Sequence, residues 1–227
     1  MKRSHYAQPA FTLIELLVVV SIIAILIGVI VPTLSKARVA AQSTECLTHL
    51  RTIYQASAAF ASEREYFPPL NNDPNEGSWQ YNYLIWDGKD FDSTWGPLIN
   101  PDTGVIHEIT TFYCPLQTNP FHQLNTPDNP WPVKEQFDTR SAYGRRFGLS
   151  GNSFDKGTDN IAFAADIFHL PQVVRSAHGN GVNTIYTDGH GKYIADRLLI
   201  YNGLGKPFSP IDNPTIAAIW RKLDKTP

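Results

Sequence analysis

The chain has 227 residues, of which 42% are hydrophobic and 18% charged, and its formal net charge is −2. That length supports one ordinary buried core, alone or with an appendage. No basic patch points to nucleic acid, which is set aside as a partner, and two cysteines without a CxxC or metal-ligand spacing argue against a zinc site.

The first ten residues, MKRSHYAQPA, carry Lys2 and Arg3 and no acid, so removing them would take the net charge from −2 to −4. The 21 residues from Phe11 to Val31 follow, with an uncharged stretch LLVVVSIIAILIGVIV from Leu16 to Val31. At about 1.5 Å rise per residue this segment covers a bilayer core of roughly 30 Å. An ordinary secretory signal peptide fits poorly. Its apolar core spans about 7 to 15 residues and ends in small A-x-A residues, whereas this run is longer and ends VIVPTLSKARVAAQ.

A simple signal anchor leaves Glu15 unexplained. An ionised carboxylate near hydrocarbon costs on the order of a few kcal/mol unless it meets a cation, and no Lys or Arg lies between Phe11 and Val31. The cation available within its own helix is a new amino terminus made by cleavage just upstream. In packed helices a neighbour's amine serves equally. The flanking charges tie, with Lys2 and Arg3 before the span and Lys36 and Arg38 after it, so they set no orientation.

Ala10-Phe11-Thr12-Leu13-Ile14-Glu15, followed by the apolar run, resembles the type IV prepilin cleavage and methylation motif. The resemblance implies that a prepilin peptidase cuts between Ala10 and Phe11 and methylates the new amine of Phe11. It implies that Glu15 guides assembly with other pilin or pseudopilin subunits on an inner-membrane platform. It also places the leader, residues 1–10, in the cytoplasm, residues 11–31 across the bilayer, and the remainder outside the inner membrane. The family usually has Gly before the cut. Ala10 adds one methyl there, and processing is expected at a normal or reduced rate.

Beyond Pro32 the pattern becomes one-sided, with Leu47, Leu50, Ile53, Ala56 and Phe60 at steps of three and four. This predicts an amphipathic stalk helix over residues 32–66, ended by Phe67-Pro68-Pro69. Pro32 predicts a bend or local melting where the apolar and amphipathic parts meet.

Residues 67–227 carry all five tryptophans and read as strands and loops. Short strands are predicted within residues 105–113 and 160–168. The segment 182–196 reads as a hairpin turning on Asp188-Gly189, a dipeptide favoured in type I′ turns. Residues 213–224 read as a short helix capped by Asn213, with Pro214 first and Ile216, Ile219, Trp220 and Leu223 on one face. The fold class expected is α+β, pilin-like: a long N-terminal helix packed on a small antiparallel sheet with long loops.

His178, ten residues before Asp188-Gly189, gives the spacing of the H-X9-DG signature found in pilin-like proteins abundant in Planctomycetes, which this chain resembles. Cys46-Leu47-Thr48-His49-Leu50, Tyr113-Cys114-Pro115 and Ala162 to Asp166 occur at similar positions in that group. The structural reading gives Asp188 and Gly189 the turn, has His178 hydrogen-bond the hairpin, and lets Asp166 end a strand. An enzymatic reading would use His178, Asp188, His190 and Asp166 to hold a metal or shuttle protons, but no GxSxG, HExxH, Walker or dinucleotide motif supports a reaction.

Three further readings stay open. Cys46 and Cys114, 68 positions apart, are either two buried free thiols or a disulfide whose loop closure contributes roughly 4 kcal/mol in the chain-entropy model. The acidic segment Asp87 to Asp92 is a Ca2+ candidate without the full EF-hand pattern; no other cofactor is expected. Trp79, Tyr81, Tyr83, Trp86 and Trp95 would suit a membrane-anchored surface module that stacks on carbohydrate, or would simply be core. The reading preferred is a non-catalytic filament subunit of a type II secretion or type IV pilus-like system.

Overall fold

The computed structural model describes residues 12–70, 82–92, 94–146, 160–168, 173–174, 177–178, 181–195 and 213–224. The chain divides into two units, Met1–Ala41 and Gln42–Pro227, and helix α1, Leu13–Arg64, contributes residues to both.

In the first unit every described residue from Thr12 to Ala41 is exposed, and this part contains a stretch long and apolar enough to cross a membrane. Two of its hydroxyls turn back on their own helix. Ser21 Oγ donates to the Leu17 carbonyl at 2.7 Å, and Thr33 Oγ1 donates to Val29 and Ile30 carbonyls at 3.2 and 2.8 Å. Such local bonds satisfy donors that hydrocarbon cannot. The helix runs on through Pro32, so the local melting expected there does not occur. Proline removes one ladder donor, and the Thr33 hydroxyl adds two bonds in the same turn.

In the second unit the outer part of α1 buries Cys46, Leu50, Ile53, Ser57 and Phe60, the three-and-four spacing of a single helical stripe. The helix stops where Glu65 takes φ +64°, its amide still bonded to the Ala61 carbonyl at 2.9 Å. Phe67 then drops into the core.

Six strands follow. Strands β1 (Leu84–Asp87) and β2 (Asp138–Arg140) pair antiparallel. Strands β3 (Tyr143–Arg145), β4 (Ala162–Asp166), β5 (Val182–Tyr186) and β6 (Gly191–Ile194) make an antiparallel sheet in the order β3-β4-β5-β6. Both middle strands are buried along their whole length, because each face of the sheet is covered. Phe163, Ala164 and Ile185 join Leu50, Ile53 and Trp95 in one core. Ala162, Ala165, Val182 and Tyr186 join Ile216, Ile219, Trp220 and Leu223 in the other. The latter four lie on a helix, α2 (Asn213–Asp224), that Tyr186 ties down by donating its hydroxyl to the Leu223 carbonyl at 3.0 Å. The Arg146–Asp224 ion pair adds a polar fastening. The fold is therefore α+β: a long N-terminal helix followed by a small antiparallel sheet domain.

Two local expectations are corrected. Residues 105–113 form no strand; they run irregularly into a 3-10 turn over Ile109–Phe112. Ile106 and Phe112 are pinned singly into the core while Val105 is 49% exposed, and the Ile106 amide bonds the Leu98 carbonyl rather than a strand partner. The apolar residues thus report burial without a ladder. The hairpin turn is not type I′, which needs positive φ at two central residues. Only Gly189 has it, at +84°. Its amide bonds the Tyr186 carbonyl, and the Tyr186 amide bonds the His190 carbonyl, both at 2.9 Å. This is the three-residue loop in which a type I turn precedes a left-handed glycine.

Candidate functional site

The N-terminal candidates sit at the start of α1. Ala10 and Phe11 lie outside the described residues. Glu15 reaches back to Thr12: its Oε2 accepts from the Thr12 amide and from Thr12 Oγ1, both at 2.9 Å, while the Glu15 amide donates to Thr12 Oγ1 at 3.2 Å. This reciprocal pattern is a capping box, legible in the sequence as Thr-x-x-Glu. A cation is thus not the carboxylate's sole partner within one chain. Helix start and acidic residue are set by the same pair, and the carboxylate is held beside the residue that follows Phe11.

The other candidates lie on the sheet domain, and the residues of the enzymatic reading fall into two pairs. Asp188 and His190 share the hairpin turn, Nδ1 to Oδ1 at 2.6 Å, with Asn160 Nδ2 donating to Asp188 Oδ2 at 2.8 Å. Burial opposes the Asp188 charge, but the His190 amide and ring outweigh it and hold the carboxyl below its usual value. The Tyr186 and His190 rings stack at 4.3 Å. Tyr54, from α1, donates its hydroxyl to the Thr187 carbonyl. Gly189 and Gly191 let the hairpin lie on this helix: a Cβ at 189 would stand 3.3 Å from the Tyr54 ring, and one at 191 would stand 2.7 Å from Leu47.

The second pair is His178 and Asp166. Asp166 ends β4, and its Oδ2 lies 3.1 Å from His178 Nε2 and accepts from the Asn183 amide of β5 at 2.6 Å. Asn183 Nδ2 and Cys114 Sγ also approach His178 Nε2, at 3.1 and 3.2 Å. Cys46 and Cys114 form a disulfide with Cα atoms 5.1 Å apart, joining α1 to the loop after the 3-10 turn. No sequence spacing announces that His178 meets a cysteine 64 positions away. The contact follows from strand pairing.

The acidic segment of the calcium reading caps itself. Asp87 Oδ1 accepts from the Lys89 and Asp90 amides at 3.0 and 2.9 Å, and Asp90 Oδ1 accepts from the Asp92 amide at 3.1 Å. Among the aromatics of the carbohydrate reading, Trp95 is fully buried, its indole donating to the Tyr143 carbonyl at 2.8 Å. Trp86 donates to the Lys134 carbonyl and packs on Phe91. Trp79 and Tyr81 lie outside the described residues.

The prokaryotic N-terminal methylation motif matches residues 6–31. The chain is type IV pilin-like at its N-terminus. It is 34% identical over 89 residues to the type IV major pilin protein PilA of Myxococcus xanthus (strain DK1622), a match covering 37% of this chain and 40% of that pilin. The chain thus spans about two-fifths of the curated pilin's length. No solved structure matches it. The motif contains Ala10, Phe11 and Glu15 and ends with the apolar run at Val31, so the motif falls within the first unit, Met1–Ala41.

Proposed function

We propose that this chain is a structural, non-catalytic filament subunit, a pseudopilin or pilin. A prepilin peptidase cleaves it between Ala10 and Phe11 and methylates Phe11. An inner-membrane platform then assembles it with other subunits into a type II secretion or type IV pilus-like filament. The observation that carries this reading is the methylation motif running into the apolar first part of α1, whose side chains from Leu13 to Val31 are all exposed. A 19-residue apolar face from Leu13 to Val31 without internal partners requires lipid or other helices around it.

In this mechanism the chain stays N-terminus inward until cleavage, with the sheet domain outside the inner membrane. Cleavage places a charged amine on Phe11, next to Thr12, whose amide and hydroxyl already hold Glu15. In the filament the Glu15 carboxylate neutralises the Phe11 amine of a neighbouring subunit. An ion pair in hydrocarbon is strongly favoured over two separated charges, so it selects helices in the register that brings amine and carboxylate together. His178, Asp188 and Gly189 serve the fold of the displayed domain.

Two measurements test this. N-terminal sequencing of membrane-extracted protein, expressed with and without a prepilin peptidase, should give methylated Phe11 with the enzyme and Met1 without it. A start at Met1 in both rejects the processing step. Glu15→Ala protein should be processed but enter filaments at least about tenfold less than wild type; incorporation at the wild-type level rejects the charge-pairing mechanism.

A further inference from the structure

Packing of the sheet domain accounts for the link between Cys46 and Cys114, but a hydrogen-bonded imidazole and carboxylate against that link is a chemical arrangement. His178 Nε2 lies 3.2 Å from Cys114 Sγ and 3.1 Å from Asp166 Oδ2, and the two sulfurs and this nitrogen all fall within 4.8 Å of one another. The His178 and Asp166 side chains are 2% and 5% exposed. Asp166 Oδ1 has no hydrogen-bond partner among the described residues. Cys114 also lines a cleft of about 390 Å³ with Glu45, His49, Tyr113 and Gln117, whereas Cys46 is fully buried. The cysteine that borders the cleft is therefore the one whose sulfur touches the imidazole.

We propose that His178, positioned by Asp166 and Asn183, is the acid–base group for making and breaking the Cys46–Cys114 disulfide. In the dithiol state the neutral imidazole carries its proton on Nδ1 and offers the Nε2 lone pair to the Cys114 thiol. The Cys114 thiol passes its proton to Nε2, and Asp166 stabilises the imidazolium. The thiolate attacks one sulfur of a small disulfide oxidant entering by the cleft, forming a mixed disulfide. The departing thiolate of the oxidant takes the proton from Nε2. Cys46 then gives its proton to the same imidazole and attacks Cys114 Sγ, and the second thiolate of the oxidant leaves and is protonated in turn. Two thiols are oxidised to one disulfide and the oxidant is reduced to two thiols. Reduction by a dithiol runs the same steps backward, with the imidazolium protonating Cys46 as it leaves.

The titratable groups around this centre are Asp166 and Tyr193 beside the imidazole, with the Tyr193 ring at 6.2 Å, and Tyr143, whose phenol burial and then Asp166 push up. Glu45, His49 and Tyr113 line the cleft together with Cys114. Thiol–disulfide exchange proceeds through the thiolate, so an imidazole that accepts the proton raises the rate below the ordinary thiol pKa of about 8.5.

The test uses the full-length chain in detergent, reduced, freed of reductant and mixed with glutathione disulfide. Formation of the Cys46–Cys114 bond is followed by trapping free thiols with a maleimide across pH 5 to 9. The wild type should react with a rate that levels off near neutral pH. His178→Gln, which keeps a hydrogen-bonding side chain but cannot carry the proton, should be at least about tenfold slower at neutral pH. Its rate should climb steadily toward the range of an ordinary thiol. Equal rates and profiles for the two proteins would overturn the proposal. If His178→Gln does not fold, the wild-type profile decides: a rate that climbs without levelling until about pH 8.5, as for an unassisted thiol, overturns it.

Discussion

The two units of this chain divide their chemistry in opposite ways. From Thr12 to Ala41 every described side chain faces outward and each hydrogen-bonding side chain described there turns to its own helix; from Gln42 onward two apolar clusters close over both faces of a sheet. Among its described residues the first unit has a surface and no core, so their side chains act on whatever surrounds them. The second has a core, so its side chains act first on each other. Truncating a large side chain should accordingly change folding in one region and association in the other.

The largest contrast is between Phe163→Ala and Ile23→Ala. Phe163 is fully buried and meets the rings of Tyr54, Phe67 and Trp95 at 5.3, 5.5 and 6.4 Å, with the Arg145 guanidinium over its face at 5.6 Å. Its removal should cost about 3–5 kcal/mol, read as a lowered denaturation midpoint of the sheet domain in the detergent-solubilised chain. Ile23 is 48% exposed, and its truncation should leave that midpoint within about 0.5 kcal/mol while reducing filament yield. A domain destabilised as much by Ile23→Ala as by Phe163→Ala would end the distinction between the units.

The same division explains which parts were legible in the sequence. The apolar run, Glu15 and the cleavage motif are contiguous and need no tertiary contact to be read, and the Thr12–Glu15 capping box is equally local. The stripe Leu50, Ile53, Phe60 and the face Ile216, Ile219, Trp220, Leu223 were readable because helical period reports burial directly. Residues 105–113 misled because a run of β-branched and aromatic residues imitates a strand when the buried ones, Ile106 and Phe112, are each pinned separately. The cluster of Asp166, His178, Asn183 and Cys114 was illegible as a unit: it exists only because β4 pairs with β5 and a loop is tied to α1, contacts that no spacing encodes.

A smaller effect separates the units by pH. His122 is buried in the second unit, its Nδ1 2.8 Å from the Ser141 carbonyl. Burial pulls the imidazole down to about 4, against the Ser141 bond that favours its charge, and Arg140 lowers it further. The unfolded chain takes up this proton near pH 6.5, whereas the folded chain does so only near 4. Between those values the unfolded state holds more protons, so stability falls as pH falls. The loss should approach about 3 kcal/mol by pH 4. His122→Asn, whose Nδ2 can replace the bond to Ser141, should flatten that acid limb. An unchanged limb, measured by denaturation from pH 7 to 4, would assign the acid sensitivity to other groups.

The smallest effect is the most discriminating, because one substitution should take opposite signs in the two units. Gly189 holds φ +84° with the Tyr54 ring 3.3 Å from where a Cβ would stand. Alanine there should cost about 1–2 kcal/mol from the left-handed backbone alone, and asparagine, which tolerates that conformation, should cost less. Gly28 is helical, with nothing within 4 Å of its would-be Cβ. Alanine there should leave the sheet domain untouched and strengthen the helix by roughly 0.5–1 kcal/mol. Helix content by circular dichroism and the domain's denaturation midpoint separate the two. A Gly28→Ala chain with stronger helix but fewer filaments would show that another helix approaches at Gly28, the close contact that a missing Cβ permits.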